Sequence, residues 1–503
     1  MTEKTERDLE LVKKTLREAE QYAHACRVLN YDEETICPKK GMEEQGELTA
    51  FLENQAFVQK KNPAFLEAAD RLYGERQELD PLDRVLAESL HRDRERTEHI
   101  TPEQDAAHRK VYNRAFVDWL SAKNRADYRI FEPSLKAVAK AQQEEISLCT
   151  RQFDTPYDSL LDLYERGMTE RELDEIFGTC RERLLPLLER IRKSKKEIRK
   201  DFLSRTVTDE QQRRMADWLL DVMCFDRERG AITTTEHTFT DGLGRNDVRI
   251  TTHYYPNSFL SSIFTVVHEG GHALFEMLQP QENWDHFVNQ NKTMGMHESV
   301  SRFYENRIGR SPEFLSILYP KAKEIFPQVL SDVTQEEFYE AVNAVEPSLI
   351  RTEADEFTYT LHIIIRYEIE KQIVDGGADF DHLPELWNRK YQEYLGVTPD
   401  NDRVGILQDV HWASGFGYFP AYALGNLYNA MYYTRMQQDL DIGKEAASGN
   451  FSAINRWMQD HVFARADQLD AKTWIREITG RELTPKDFLD YLEEKYGRLY
   501  CLD

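Results

Sequence analysis

Two histidines one helical turn apart, with a glutamate directly after the first, constrain this chain more than any other feature. The segment is His268-Glu269-Gly270-Gly271-His272. Residues four apart lie on one face of an α-helix, with their Cβ atoms about 5–6 Å apart. Two imidazoles in that arrangement can bind one Zn²⁺ ion through their ring nitrogens at about 2.0–2.1 Å. Glu269 would then lie beside the ion, where its carboxylate can take a proton from an attacking water.

The flanking sequence predicts that this segment lies inside a helix. Apolar residues recur along one face from Phe259 to Leu278, and Pro280 follows as a stop signal. Glycines inside a helix cost about 1 kcal/mol each relative to alanine. Gly270 and Gly271 therefore predict that another backbone or a ligand approaches closely. The alternative is a helix that carries two unrelated histidines.

A catalytic zinc site needs a third protein ligand and an open fourth position. Glu298 lies 26 residues after His272, at the start of a segment, 298–305, that predicts a second helix. We therefore predict a zinc site formed by His268, His272 and Glu298. His297 is the competing ligand, although on a helix its side chain would point about 100° away. In isolation, Glu298 would be interpreted as a solvated carboxylate.

Composition narrows the partners and the compartment. The chain has 503 residues and a formal net charge of −25, which argues against nucleic acid and anionic membranes as partners. The sequence has no apolar run of about 18 residues, so we predict no membrane span. The charged N-terminus shows no secretory signal. The six cysteines are scattered without metal-site spacing, which predicts free thiols and a cytoplasmic protein.

Helical periodicity dominates the chain, and no repeat or linker divides it. Thr169 and Thr334 each begin a capping box, and Thr484 precedes a proline that suits the first position of a helix. We predict a mainly α fold in a single unit, 1–503, with the zinc site between about 231 and 425.

One region departs from the helical pattern. Residues 231–240 and 247–255 are rich in threonine, isoleucine, valine and aromatic residues, and 241–246 lies between them. This predicts two strands joined by a loop, in a small sheet beside the zinc helix. Such a sheet would either pair with an extended peptide at its edge or have a purely structural role.

Several further segments, in order along the chain, match the motifs of one family. Together with HExxH they resemble the M32 family of metallocarboxypeptidases. The segments are Asp247–Thr251 (DxRxT), His297–Ser299 (HES), Ile350–Asp355 (IRxxAD) and Gly405–Trp412 (GxxQDxHW), with 38–41 and 417–425 also similar. Two departures are visible. The family's HPF is His237-Thr238-Phe239 here, and the glutamine that often follows HES in the family is Val300 in this chain.

The resemblance implies both a fold and an activity. The fold would be a large helical body split by a deep substrate groove, with a neurolysin-like architecture. The enzyme would use zinc, or cobalt, to remove single residues from the free C-termini of peptides, with broad preference and poorly at proline. Homodimers are usual in the family.

The resemblance also carries over substrate-binding residues. A carboxypeptidase must recognise a free α-carboxylate, and the planar fork of arginine suits this group. Arg351 is the first candidate and Arg249 the second, and for each the alternative is a salt bridge to a local acid, Asp355 or Asp247. His237 is carried over as well, but the missing proline beside it weakens the match.

The oxyanion of the reaction needs a donor beside the metal. Tyr418 and His411 lie in motif segments and can donate, and the alternatives for them are a packed aromatic and a core histidine. By residue type, Asp355 and Asp409 are interpreted as carboxylates that orient the ligand histidines.

Two other functions fit parts of the sequence. A zinc endo-oligopeptidase or dipeptidyl carboxypeptidase would share the chemistry, and would differ in whether the carboxylate-binding arginine lies one or two residues beyond the zinc. An inactive helical peptide-binding scaffold would not need the intact base Glu269.

Overall fold

The computed structural model describes residues 2–502, which form a helical protein with one small sheet. The first helices are α1 (Glu3–Thr35), α2 (Met42–Lys60), α3 (Pro63–Gly74), α4 (Pro81–Thr97), α5 (Pro102–Arg125), α6 (Glu132–Leu148), α7 (Pro156–Tyr164), α8 (Glu170–Lys193) and α9 (Asp209–Val222). The strands are β1 (Gly230–Thr234), β2 (Thr240–Gly244) and β3 (Asp247–Thr252). Then follow α10 (Phe259–Leu278), α11 (Gln281–Asp285), α12 (Met294–Arg302), α13 (Pro312–Ile325), α14 (Pro327–Leu330), α15 (Gln335–Val342), α16 (Tyr359–Val374), α17 (Leu383–Leu395), α18 (Pro420–Met436), α19 (Ile442–Ala447), α20 (Ser452–Met458), α21 (Ala464–Ala466), α22 (Ala471–Thr479) and α23 (Lys486–Leu499).

The predicted helix starts are found close to where the sequence placed them. Thr169 begins α8 with a capping box to Glu172, and Thr334 begins α15 with one to Glu337. The third start lies one residue later than predicted: α23 begins at Lys486, whose N–H donates to the Thr484 hydroxyl at 3.3 Å. Each cap satisfies backbone donors that a helix start leaves without partners.

Most of the chain shares one hydrophobic core. The main cluster of buried side chains runs from Ala115 on α5 to Tyr500 just after α23, and a smaller one joins α1, α3 and α4 with Val288. The six cysteines are free thiols. Among residues 2–502, no helix combines the length and the apolar character needed to cross a membrane.

The sheet has three strands, and the prediction of two strands with a loop at 241–246 was wrong. The strand order is β1-β3-β2, with β1 parallel and β2 antiparallel to β3. Most of the supposed loop is β2, whose glycines suggested a turn. Gly242 is needed for close packing instead, because a Cβ atom there would lie 3.2 Å from Glu276 Cγ on α10. Leu243 is fully buried, which anchors the strand.

Helix α1 covers part of the outer edge of the sheet. The Leu243 carbonyl on β2 lies 2.8 Å from His24 Nδ1 and accepts from Arg27 Nη2 at 3.2 Å. This carbonyl is therefore already occupied. Pairing of a peptide with the rest of the β2 edge stays a prediction.

Gly270 and Gly271 on α10 lie where neighbouring groups approach the helix closely, as predicted. A Cβ atom on Gly271 would lie 2.9 Å from the Ser301 Cα and 3.2 Å from the Val300 carbonyl oxygen, both on α12. A Cβ atom on Gly270 would lie 2.8 Å from Met223 Cε. Because Gly271 lacks a side chain, α12 packs directly on the α10 backbone, which brings Glu298 towards the two histidines.

We expect Gly271→Ala to destabilise the protein by about 1–3 kcal/mol, because the added methyl group must push the α12 backbone away. Zinc affinity should fall with it, since Glu298 moves with α12. Gly178→Ala on α8 is the matched control: its Cβ would meet nothing within 4 Å, so it should stabilise by about 1 kcal/mol. Thermal melts and zinc titrations of both variants would check this. Equal behaviour would contradict the role given to Gly271.

Candidate active site

The three predicted metal ligands converge at the contact between α10 and α12. One donor atom each from His268, His272 and Glu298 lies within 4.8 Å of the others. Glu298 Oε2 is 3.7 Å from His268 Nε2 and 3.4 Å from His272 Nε2. Donors bound tetrahedrally to zinc at about 2 Å would lie roughly 3.3–3.5 Å apart. The donor types therefore fit a zinc ion, and the two distances from Glu298 lie in or close to that range.

A second glutamate fixes the orientation of His268. The His268 Nδ1 lies 2.9 Å from Glu305 Oε2, in the π-helical turn Phe303–Ile308 that continues α12. Burial opposes ionisation of Glu305, but Arg302 and His268 outweigh it and lower its pKa to about 2. An N–H at Nδ1 donating to this carboxylate leaves the Nε2 lone pair for a metal.

The interpretation of Asp355 and Asp409 as partners of the ligand histidines was wrong. Asp355 accepts from the backbone N–H groups of Phe357 and Thr358 at 2.9 Å, just before α16. Asp409 binds arginines. Glu305 was missed, although it lies seven residues after Glu298 and so on the same helical face.

Glu298 is held as an ionised carboxylate. Its Oε1 accepts from Arg302 Nε at 2.8 Å, and its Oε2 accepts from the Ser301 hydroxyl at 3.1 Å. Burial would raise the pKa of Glu298, but His268 and Arg302 lower it well below the usual range. Metal binding requires this deprotonated form.

His297 lies beside the ligand set but outside it. Its Nε2 is 2.8 Å from Glu276 Oε1, and its ring stacks on His272 with centroids 4.3 Å apart. Burial, with the nearby His272, lowers the pKa of His297 to about 4. The neutral ring packs against a ligand and points its nitrogen away from the cluster.

The base predicted from the motif is buried next to the ligands. Glu269 is 6% exposed, and its Oε2 accepts from the Thr240 hydroxyl at 2.6 Å. Thr240 begins β2, whereas the sequence placed it at the end of the first predicted strand. The sheet therefore has a direct contact with the base.

His268, Glu269, Glu298 and Glu305 line one open cavity of about 860 Å³. It lies between α10, α12 and the segment that leads into α16. Its walls include the predicted ligands His268 and Glu298, the predicted base Glu269, and the residues Arg302, Arg310, Arg351, Tyr359 and Tyr422.

Arg351 lines the cavity and shares the carboxylate of Asp409 with a second arginine behind it. Arg351 donates to Asp409 Oδ1 from Nε at 3.0 Å and from Nη2 at 2.9 Å, and to the Tyr359 hydroxyl from Nη1 at 3.0 Å. Arg366, which is fully buried, donates to Asp409 Oδ2 at 2.7 Å. Two guanidinium groups and one carboxylate leave one net positive charge. The salt bridge anticipated for Arg351 thus exists, but with Asp409 instead of Asp355.

The chain matches known proteins over nearly its whole length. Residues 11–496 match the sequence profile described as carboxypeptidase Taq (M32) metallopeptidase. The chain belongs to this family. It is 35% identical over 489 residues to carboxypeptidase 1 of Bacillus subtilis (strain 168), covering 97% of each chain. It is 38% identical over 500 residues to thermostable carboxypeptidase 1 of Thermus thermophilus, covering 96% of this chain and 97% of that one.

The fold agrees with that assignment. The crystal structure of the M32 carboxypeptidase from Deinococcus radiodurans R1 superposes with a TM-score of 0.94 at 28% identity, covering 99% of this chain and 100% of that one. The resemblance derived from the motifs is therefore confirmed. As a member of the M32 family, this chain is a metallopeptidase, a hydrolase of peptides.

Two of the residues carried over from the M32 motifs lie away from the cavity wall. Arg249 donates twice to Asp247, at 2.8 Å each, and its guanidinium carbon lies 4.9 Å from the centre of the Tyr31 ring. His237 is exposed in the bend between β1 and β2. The next residue, Thr238, does line the cavity.

His411 and Tyr418 lie behind a third residue that the M32 motifs did not single out. Tyr422, on the first turns of α18, lines the cavity, and its hydroxyl is 3.2 Å from His411 Nε2. The Tyr418 ring packs on Tyr422 with centroids 5.2 Å apart. Tyr422 lies within the similar segment 417–425, which was the signal available in the sequence.

Burial sets the protonation states of Tyr418, Tyr422 and His411 at neutral pH. It raises the pKa of Tyr418 to about 12 and that of Tyr422 well above its usual range, so both hydroxyls stay protonated. Burial, aided by Arg351 and opposed by Asp409, lowers the pKa of His411 to about 4. The imidazole of His411 is therefore neutral at pH 7.

Proposed function

We propose that this protein is a zinc-dependent carboxypeptidase that hydrolyses the last peptide bond of a chain and releases single amino acids. The observation that carries the proposal is the position of Arg351 in the same cavity as the ligand cluster and Glu269. Arg351, Arg366 and Asp409 together carry one net positive charge, which suits the α-carboxylate of a peptide. Broad preference and poor cleavage at proline are proposed from the M32 motifs alone.

His268, His272 and Glu298 would hold the zinc, and cobalt suits the same nitrogen and oxygen donors. When bound, the metal polarises the scissile carbonyl and lowers the pKa of water. Glu269 takes the proton of the attacking water and delivers it to the leaving amine. Because Thr240 holds Oε2 of that carboxylate, we assign the proton transfer to Oε1.

The hydroxyl of Tyr422 is the best-placed donor to the oxyanion, because its side chain lines the cavity. His411 and Tyr418 support it: His411 is within hydrogen-bond distance of the hydroxyl, and the Tyr418 ring fixes the Tyr422 ring. These two residues would then act on the reaction partly through Tyr422.

Two side chains, Tyr359 and Arg302, connect Arg351 to Glu298. The Tyr359 hydroxyl accepts from Arg351, and the Tyr359 ring lies 3.9 Å from the guanidinium carbon of Arg302, which binds Glu298. We propose that Arg351 holds the α-carboxylate one residue beyond the cleaved bond, and the sizes of the products in the test below decide this.

The test compares an unstructured peptide with a free C-terminus and its C-terminally amidated twin. Zinc-loaded protein is added to each, and mass spectrometry follows the products. A ladder of single-residue losses from the free peptide alone is expected. Loss of dipeptides would indicate a dipeptidyl carboxypeptidase, and internal cleavage of both peptides an endo-oligopeptidase. No cleavage of either by zinc-bound protein would favour the peptide-binding scaffold.

We further propose, from the family resemblance, a homodimer that acts on peptides in the cytoplasm. The formal net charge of −25 supports the expectation that neither nucleic acid nor anionic membrane is a partner. Light scattering after size-exclusion chromatography tests the assembly: the dimer predicts twice the chain mass of 59.1 kDa. A single chain mass at micromolar concentration would contradict it.

We expect Thr240→Val to lower kcat by about tenfold, because it removes a hydrogen bond to a charged group while keeping the side-chain shape. Without that bond, the Glu269 carboxylate can rotate away from the attacking water. Thr240→Ser keeps the hydroxyl and is the matched control, expected to stay within about threefold of the parent. The measurement is kcat at full zinc occupancy, and equal losses in both variants would contradict the role of the hydroxyl.

A further inference from the structure

Glu370 is a buried carboxyl group that the proposed mechanism does not use. It lies on α16, is fully buried, and has three hydrogen-bond donors around it. The Trp412 indole donates to Oε1 at 2.9 Å, and the Tyr157 hydroxyl donates to Oε2 at 2.9 Å. The backbone N–H of Gly417 also donates to Oε2, at 3.2 Å. Burying a carboxyl group costs free energy unless hydrogen bonds compensate for the lost water.

Two of those donors lie at the two ends of one short segment. Trp412 directly follows His411, and Gly417 directly precedes Tyr418. One carboxyl group therefore binds both ends of the segment 411–418, which presents the two residues that support Tyr422. Four residues before Glu370 on α16, Arg366 binds Asp409, just before the segment.

The segment is also fixed by close packing on α7. Gly417 has a φ of +93°, and a Cβ atom there would lie 2.9 Å from the Leu160 carbonyl group. The Tyr164 ring, at the end of α7, packs edge-on against Tyr418 with centroids 5.0 Å apart. Two buried polar side chains bind the segment: Gln142 Oε1 accepts from the Phe416 N–H at 3.0 Å, and Glu370 binds near both ends.

We propose that Glu370 is a positioning residue, which holds the segment 411–418 so that His411 and Tyr418 keep Tyr422 directed into the cavity. The inference rests on the proposed function, because it assigns that segment a part in stabilising the oxyanion. Glu370 itself touches neither substrate nor metal, and acts through the residues that it holds.

A carboxyl group is the side chain that this position requires. The N–H groups of Trp412 and Gly417 can only donate, and they reach different oxygens of Glu370. Burial raises the pKa of Glu370 to about 7, against the hydrogen bonds that lower it. If Oε2 is protonated, its O–H can donate a hydrogen bond to the oxygen of the Tyr157 hydroxyl, because a hydroxyl can also accept. Both N–H groups then keep an oxygen partner in either form.

Glutamine cannot replace it. If the amide nitrogen takes the place of Oε1, it faces the Trp412 N–H, and two donors meet. If it takes the place of Oε2, Tyr157 can turn and accept, but the Gly417 N–H meets a donor. Either orientation leaves one end of the segment without its partner.

The experiment compares Glu370→Gln with Tyr157→Phe in the full-length, zinc-loaded protein. Both variants remove hydrogen bonds from the same buried cluster, but Tyr157→Phe leaves both contacts to the segment in place. We expect kcat per bound zinc to fall about tenfold or more in Glu370→Gln, and to stay within about twofold in Tyr157→Phe. Zinc stoichiometry should be one per chain in both, and KM should change less than kcat.

Equal kcat values for Glu370→Gln and Tyr157→Phe, at similar melting temperatures, would overturn the proposal and leave Glu370 a purely structural group. If Glu370→Gln does not fold, Trp412→Phe replaces it, since it removes one of the two contacts to the segment. A kcat loss of several-fold is expected there, and none would overturn the proposal. The parent protein measured in the same assay separates the two hypotheses: an inactive parent contradicts the proposed function itself.

Discussion

Glu269→Gln is expected to lower kcat/KM by about 10²–10⁴-fold while one zinc ion stays bound. The amide keeps the shape and burial of the side chain but cannot accept the proton of the attacking water. Thr240, which donates to this carboxylate at 2.6 Å, can still donate to the amide oxygen, so the fold should persist. Initial rates on a peptide with a free C-terminus, with zinc measured by atomic emission, would check both parts.

Glu298→Gln should be compared with Glu269→Gln, because we expect it to lose zinc as well as activity. Removing the charge of a ligand should lower zinc affinity, because the neutral amide is a poor zinc ligand. Activity lost with the metal in Glu298→Gln, but without loss of metal in Glu269→Gln, separates a ligand from a base. Full activity of Glu269→Gln at full zinc occupancy would contradict the assignment of the base.

Arg351→Met is expected to raise KM for a free-C-terminus peptide by about 10–100-fold, since it removes a hydrogen bond between charged groups. It also takes the net charge of the cluster with Arg366 and Asp409 from +1 to 0. Discrimination against the amidated peptide should shrink by a similar factor. The kinetic constants for the free and amidated twins measure both effects.

Arg249→Met is the comparison that decides between the two arginines. Two of the three guanidinium nitrogens of Arg249, Nε and Nη2, donate to Asp247, and the residue is absent from the cavity wall. Its loss should therefore change discrimination between free and amidated peptides less than the loss of Arg351. The reverse ranking would transfer carboxylate recognition to Arg249.

The cluster of His268, His272 and Glu298 could be predicted because helix geometry brings the two histidines together and the motif order points to the glutamate. Two histidines at a spacing of four and a glutamate on the next helix leave few arrangements, and Gly271 supplies the close contact that completes the set. The family followed from motif order. These inferences depend on local spacing, which a sequence records directly.

The surroundings of the ligands were harder to predict because they come from distant parts of the chain. Thr240 reaches Glu269 from a strand whose glycines resemble a loop until its packing on Glu276 is known. Asp409 was given a histidine partner on residue type alone, and it binds Arg351 and Arg366 instead. A carboxylate does not show in sequence which cation it meets after folding.

The contact at Gly271 also bears on which ions can be held. A Cβ atom on that residue would lie 2.9 Å from the Ser301 Cα, so the two helices that carry the three donors pack backbone against backbone. The donors that this contact brings together are two imidazoles and one carboxylate, a set that suits zinc. Calcium takes six to eight oxygen ligands, which two imidazoles and one carboxylate do not supply. The packing of α12 on α10 therefore selects among metals through the type of donor that it assembles.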